Sequence, residues 1–135
     1  MILGTPRFLT LEEVGEIHEQ SILRYGGSPG LRDAGLLESA AAAPQASFGG
    51  TFLLDSIFEM AAAYLWHLAK NHAYVDGNKR VAAGAALVFL RLNGRRIDSF
   101  APTLYDITIG AATGALDKKG VTVALENLFG RHQTT

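Results

Sequence analysis

Apolar residues recur every three or four positions along most of the chain, the spacing that places them on one face of an α-helix. The first such stretch begins after Thr10, which together with Glu13 has the spacing of a capping box, and it ends at the glycine pair 26–27. Its face consists of Leu11, Val14, Ile17, Ser21 and Ile22. The sequence therefore predicts a first amphipathic helix of about four turns.

The helical spacing is lost between Tyr25 and Gly50, where glycine is frequent. One alanine-rich segment, 36–43, interrupts this region and ends at Pro44. We expect a structured loop that carries one short helix.

Two strongly apolar segments then follow one another, separated by a short polar run. The first covers 57–71, with Asp55 or Ser56 in position to cap it. The second covers 79–93, with Asn78 as the predicted N-cap, and its middle is apolar on all sides. A helix that is apolar all round belongs at the centre of a bundle, so we place the second segment there.

The remaining sequence predicts a helix with Pro102 in its first turn and a last helix over 121–129. Few segments alternate between apolar and polar residues, so little strand is expected. We predict an all-α fold: a compact bundle of about six helices around a central apolar helix, forming a single domain over residues 1–135.

Composition narrows the possible partners. The formal net charge is −1, so nothing global indicates a nucleic-acid or membrane partner, and any basic site must be local. The absence of cysteine excludes disulfides and suits a cytoplasmic location. The longest apolar run, 81–90, is too short for the roughly 20 residues that span a bilayer, and residues 1–10 do not have the pattern of a secretory signal.

The polar run, NHAYVDGNKR at 71–80, lies where one apolar helix ends and the next begins. The start of a helix presents unpaired N–H groups that attract anions, and Gly77 lets the backbone approach a ligand closely. A phosphate-binding nest would use the N–H groups of Gly77, Asn78, Lys79 and Arg80, with charge added by the last two side chains.

Two further residues complete a set for moving a phosphate group onto a hydroxyl. Asp76 precedes the nest, where a carboxylate can hold a Mg²⁺ ion that also touches phosphate oxygens. His72 lies across the loop, and histidine is the side chain whose ordinary titration lies near neutral pH, as a general base requires.

Each residue also has an ordinary structural interpretation. His72 alone is more often a helix C-cap, Asp76 with Gly77 is a common turn, and Asn78 is a common N-cap. Lys79 and Arg80 oppose the helix macrodipole at this position, which favours a bound anion over simple solvation. The open alternatives are a nucleotide-binding module without catalysis and a purely structural bundle.

The run His72 to Arg80, read H-A-Y-V-D-G-N-K-R, resembles the signature of the Fic/Doc superfamily, in which Tyr74 replaces the usual phenylalanine. The segment 30–40, GLRDAGLLESA, with Pro44 and Phe48 after it, resembles the death-on-curing (Doc) branch. The resemblance covers at least 10–94 and agrees with an all-helical order.

The resemblance implies a role for each matching residue. His72 would be the general base that activates the target's hydroxyl, and Asp76 would bind Mg²⁺. The phosphates of ATP or another nucleoside triphosphate would be held by Gly77, Asn78, Lys79 and Arg80.

The same resemblance implies a choice between two reactions. Members that transfer AMP usually have glycine where this chain has Lys79, and often a second arginine where it has Ala83. The Doc branch has lysine and moves the terminal phosphate onto a serine or threonine of a translation factor. We therefore expect phosphate transfer to a protein target, with AMP transfer as the alternative.

The resemblance also implies control by a partner. Residues 122–127 fit the loose pattern of an autoinhibitory helix, but we expect an ordinary last helix in which Glu126 is exposed. The expected core contacts of that helix are Val123, Leu125 and Leu128. A toxin without a built-in inhibitor would need an antitoxin, whose disordered tail folds along a groove of the protein.

We expect the target to dock on 26–50, with Arg24 and Arg32 as contacts.

Overall fold

A computed structural model describes residues 4–97 and 102–130. Nearly all regular structure in these residues is helical, with short connections between helices. The α-helices are α1 Leu11–Tyr25, α2 Ala34–Ala42, α3 Ile57–Asn71, α4 Asn78–Leu92, α5 Pro102–Thr113 and α6 Lys118–Leu125. A 3₁₀ turn, Ala43–Gln45, follows α2, and a π-helical turn, Glu126–Gly130, follows α6. The predicted all-α fold is confirmed.

The centre of the bundle is the pair α3 and α4, which form the most extensive helix contact of the described residues. Each of these helices buries eight side chains, half of them alanines, so the two backbones can pack closely. The predicted central position of α4 is confirmed, and α3 shares it. Helix α3 also packs on α2, α5 and α6, whereas α4 packs on α1 and α5.

The caps explain why the first and third helices begin where the sequence places them. Thr10 and Glu13 form both bonds of the predicted capping box at the start of α1, and Gly26 ends that helix with positive φ. Of the two candidate caps of α3, Ser56 is the one whose hydroxyl accepts a hydrogen bond, from the N–H of Glu59.

The predicted cap of α4 is wrong. Gly77 is the N-cap, in the left-handed region at φ 77° and ψ 20°, and Asn78 is the first helical residue. The Asn78 side chain turns back to the polar loop, where its amide oxygen accepts from the N–H of Tyr74 and its amide nitrogen donates to the Tyr74 carbonyl. Because no side chain caps α4, its first N–H groups remain available to a ligand.

Two other helices begin earlier than predicted because an aspartate caps them. Asp33 accepts from the N–H of Leu36 at the start of α2, and Asp117 accepts from the N–H of Gly120 at the start of α6. Pro102 is the first residue of α5, as predicted.

Exposure along the last helical segment agrees only in part with expectation. Leu125 is buried, Leu128 packs against the core and Glu126 is exposed, as predicted. Val123 was expected in the core but is 48% exposed. It lines an open surface cavity between α6 and α3, together with Glu59 and Glu126.

Strand is limited to a hairpin of Ser47–Phe48 with Thr51–Phe52 and one isolated bridge between Leu31 and Tyr74. The hairpin lies at the start of α3, far from the polar loop, since a 15-residue helix is roughly 22 Å long. No helix in the described ranges is long and apolar enough to cross a membrane.

Candidate active site

The polar loop begins at His72, which caps the carboxyl end of α3 in the left-handed conformation, at φ 51° and ψ 49°. It is the one non-glycine residue with positive φ in the described ranges, and such a backbone persists only when its surroundings hold it. Arg32 provides that hold, because its Nε donates to the His72 carbonyl at 2.8 Å and its Nη2 to the Asn71 carbonyl at 3.4 Å. The capping role expected for an isolated histidine is thus present, and its side chain remains exposed.

The glycine-rich segment before α2 pairs with the loop along its length. The N–H groups of Arg32 and Asp33 both donate to the Ala73 carbonyl, and the N–H of Val75 donates to the Gly30 carbonyl. Tyr74 is buried, but Val75 is 58% exposed, because the pairing turns its side chain outward.

The Asp76 carboxylate is exposed and held by backbone donors. The N–H of Ser28 donates to Oδ2 at 3.2 Å, and the N–H of Gly77 donates to Oδ1 at 2.8 Å. These two bonds, the Ser28 bond first, lower the pKa of Asp76, and the nearby charge of Arg80 lowers it further. Asp76 is therefore ionised at neutral pH.

Gly27 lies directly against this carboxylate. A Cβ atom at Gly27 would come within 2.7 Å of Asp76 Oδ2 and 3.1 Å of Arg80 Nη2. The backbone there has φ +116°, which side chains rarely adopt. Both features favour glycine at this position.

Arg80 is fixed from the side of α1. Its Nη1 donates to the Ser21 carbonyl at 3.1 Å, and its guanidinium lies over the ring of Tyr25 at 5.9 Å from the ring centre. Both contacts position a cation beside the open start of α4.

His18 of α1 packs against the buried side of the loop. It is only 4% exposed, its Nε2 lies 2.7 Å from the Asp76 carbonyl oxygen, and its ring stacks on Tyr74 at 3.8 Å between ring centres. Burial raises the pKa of Tyr74. The Tyr74 hydroxyl, where the Fic/Doc signature has no polar group, has no hydrogen-bond partner in the described part of the chain.

All six residues predicted for the site meet in one cavity of about 410 Å³ between the loop, the start of α4 and α5. They are His72, Asp76, Gly77, Asn78, Lys79 and Arg80, and Tyr105 of α5 closes the cavity on the far side. One detail of the predicted nest differs, because the N–H of Gly77 is already used by Asp76. The donors left for an anion are the N–H groups of the first turn of α4.

A second, mainly apolar cleft of about 620 Å³ adjoins this cavity. It runs along the last turns of α1, where Arg24 and Tyr25 line it, and it shares Arg80 and Tyr105 with the first cavity. A chain bound in the cleft would therefore reach the polar loop.

The residues fit a magnesium ion held together with phosphates. No group of three or more histidine, cysteine, aspartate or glutamate side chains in the described ranges could bind a metal on its own. Magnesium is commonly bound by one or two carboxylates and completed by phosphate oxygens and water, and Asp76 supplies an ionised, exposed carboxylate next to the helix start.

Sequence reasoning missed the supporting residues. His18, Gly27 and Ser28 contact the loop from positions about 50 residues earlier, and Arg32, predicted as a contact of the target, also holds the backbone of His72. The available signals were a histidine on the apolar face of α1 and the glycine pair that follows the helix.

A loop of this kind between two central helices defines a protein of the Fic/DOC family, and residues 8–90 match that family. The chain belongs to it, as the resemblance of the loop indicated. Its sequence is 41% identical to "Protein kinase doc" of Escherichia phage P1 over 92% of this chain and 97% of the relative. It is 38% identical to "Toxin Doc" of Mycolicibacterium smegmatis over 83% of this chain and 88% of the relative.

Proposed function

We propose that this protein is the toxin of a toxin–antitoxin pair and acts as a protein kinase. It transfers the terminal phosphate of ATP, or another nucleoside triphosphate, to a serine or threonine hydroxyl of a protein such as a translation elongation factor. The observation that carries the proposal is the meeting of His72, Asp76 and two cations at the start of α4, where no side chain occupies the first N–H groups. The names of the two relatives, a protein kinase and a toxin, support the same conclusion.

In the proposed reaction, His72 takes the proton of the target hydroxyl while the hydroxyl oxygen bonds to the terminal phosphorus. The bond between that phosphorus and the leaving diphosphate breaks, and the nucleoside diphosphate departs. The first-turn N–H groups of α4 and the side chains of Lys79 and Arg80 stabilise the negative charge of the phosphates. Asp76 would hold Mg²⁺, which when bound neutralises phosphate charge.

The identity of the transferred group depends on how the triphosphate lies across Lys79. This side chain is exposed and lines the cavity at the second position of α4. A long cation there fills space that a glycine would leave for the α-phosphate, and Ala83 supplies no second arginine on the next turn. Both features favour transfer of the terminal phosphate over transfer of AMP.

The test follows label from γ-labelled and α-labelled ATP into proteins of a bacterial lysate in the presence of Mg²⁺. We expect γ label with the wild type and none with His72→Ala. The matched control is His67→Ala, which removes a histidine of the same helix whose side chain lines a separate cavity. Labelling by His67→Ala should equal that of the wild type.

The other outcomes separate the alternatives. Label from the α position alone would establish AMP transfer in spite of Lys79. Binding of ATP that survives His72→Ala, with no label in any protein, would establish a nucleotide-binding module without catalysis.

A toxin of this kind requires an antitoxin, and the cleft beside α1 offers a binding place for its disordered tail. The cleft is mainly apolar and shares Arg80 with the candidate active site, so a tail that folds there would cover that cation. Arg24→Glu, at the cleft but outside the cavity with His72, should weaken antitoxin binding while ATP binding by the isolated toxin persists. Unchanged antitoxin affinity in this variant would place the tail elsewhere.

A further inference from the structure

We propose that His18 is a positioning residue: it fixes the peptide group between Asp76 and Gly77 and thereby orients the Asp76 carboxylate toward a metal–nucleotide complex. The inference rests on the proposed function for its ligand, but its contacts lie entirely within this chain. His18 belongs to α1 and contributes no atom to the cavity with His72.

The hydrogen bond of His18 has only one possible direction. Its Nε2 lies 2.7 Å from the Asp76 carbonyl oxygen, which can only accept, so Nε2 carries the proton and donates. The ring is 4% exposed and lies nearly parallel to the ring of Tyr74, at 9° between planes. Stacking and burial therefore fix the ring that makes this bond.

The bond controls more than one atom because a peptide group is planar. In a trans peptide the carbonyl and the N–H point in opposite directions, so holding the Asp76 carbonyl toward His18 turns the Gly77 N–H away from it. That N–H donates to Oδ1 of the Asp76 side chain at 2.8 Å. One rigid plane thus connects the imidazole on one side with the carboxylate on the other.

A restraint is needed here because Gly77 itself imposes none. Glycine adopts positive and negative φ about equally well, so the Asp76–Gly77 peptide can rotate between two turn conformations. Rotation would remove the Gly77 hydrogen bond from the carboxylate and leave the start of α4 in a different conformation. His18 selects the conformation in which Gly77 has φ 77°.

Two substitutions of His18 separate the hydrogen bond from the packing. His18→Phe keeps a ring that stacks on Tyr74 but removes the donor, whereas His18→Gln loses the ring and keeps an N–H donor at a similar reach. If His18 positions the peptide, His18→Phe should impair the site and His18→Gln should restore it. If His18 only fills space, the order should be reversed.

The first readout is binding of Mg²⁺ with a non-hydrolysable ATP analogue, measured by calorimetry on variants whose thermal unfolding shows them to be folded. We expect affinity to fall about tenfold in His18→Phe, equivalent to ~1.4 kcal/mol, and to return in His18→Gln. An affinity of His18→Phe equal to that of the wild type, or a weaker affinity in His18→Gln than in His18→Phe, would overturn the inference.

The second readout needs neither a ligand nor a variant. In NMR spectra of the wild-type protein, His18 should show a proton on Nε2 that exchanges slowly with water, and Gly77 should show a protected amide. A ring protonated only on Nδ1, or a Gly77 amide that exchanges at the rate of an unstructured peptide, would refute the geometry. If the wild type binds no nucleotide, the proposed function fails, and this measurement still decides the role of His18.

Discussion

Replacing Gly27 by alanine adds one methyl group at the most restricted backbone position near the candidate active site. The new Cβ would lie 2.7 Å from Asp76 Oδ2, whereas ordinary contact begins at 3.4 Å. It would also lie 3.1 Å from both Arg80 Nη2 and Ile22 Cδ1. The atoms that must yield are therefore those that the proposed function uses to hold the metal and the phosphates.

The effect of this substitution divides into a stability part and an activity part. Alanine at φ +116° strains the backbone by about 1–3 kcal/mol. The contact itself is relieved by flexible side-chain ends, which adds little to the loss of stability. Displacing Asp76 and Arg80 by a sizeable fraction of an ångström should lower kcat/KM by about 10- to 100-fold, because misplacements of ~1 Å have effects of that size.

The neighbouring glycine supplies the control. Gly26 has φ +85°, and a Cβ atom there would meet nothing within 4 Å, so Gly26→Ala carries the backbone strain without the contact. Urea denaturation should show similar losses of stability for the two variants, while initial rates of label transfer should fall steeply only for Gly27→Ala. Equal rates for the two variants would refute the reasoning that Gly27 makes room for the Asp76 carboxylate.

Three further changes probe other parts of the structure. Tyr74→Phe removes a buried hydroxyl without a hydrogen-bond partner in the described ranges, so urea denaturation should show unchanged stability or a gain of up to about 1 kcal/mol, and a clear loss would reveal a bond not seen here. Tyr64→Phe leaves the N–H of Leu9 without its acceptor in a buried place and should lower the free energy of unfolding by about 1–3 kcal/mol in the same assay. Folding lowers the pKa of Asp76, so the ionised carboxylate stabilises the fold above the unfolded-state pKa of 3.8, and this contribution is lost as pH falls through the lower folded-state pKa. Asp76→Asn should therefore reduce the slope of unfolding free energy against pH on the acid side, and an unchanged slope would contradict the assignment.

Local signals explain how much of the fold the sequence predicts. Helical spacing and a capping box are properties of neighbouring residues, so α1 and α3 agree closely with expectation. The prediction of the α4 cap was wrong because it depends on a contact formed by folding. Asparagine is a common N-cap residue, but the Asn78 amide hydrogen-bonds to the N–H and the carbonyl of Tyr74, and only the folded loop brings these groups within reach.

The candidate site likewise combines residues that are close in the sequence with residues that only folding brings together. Its chemical groups are close together in the sequence, so residue types and order alone were enough to predict 72–80 as the candidate site, and the structure brings these groups into one cavity. The residues that orient those groups are remote. His18 is 58 positions from Asp76 and Arg32 is 40 positions from His72, and no periodicity or local motif connects such pairs.

The glycine-rich segment before α2 shows how contacts between remote residues add to the interpretation of a segment from its own sequence. Its composition indicated a surface loop for target docking, since glycine commonly provides turns. The structure gives two of its glycines a further reason: a Cβ at Gly27 would lie 2.7 Å from Asp76 Oδ2, and Gly30 has φ +134°, which side chains rarely adopt. The segment thus supports the loop from behind the cavity, in contact with it and hydrogen-bonded to it. A target that docks there would contact the backbone that holds Asp76, so docking and metal binding should depend on one another.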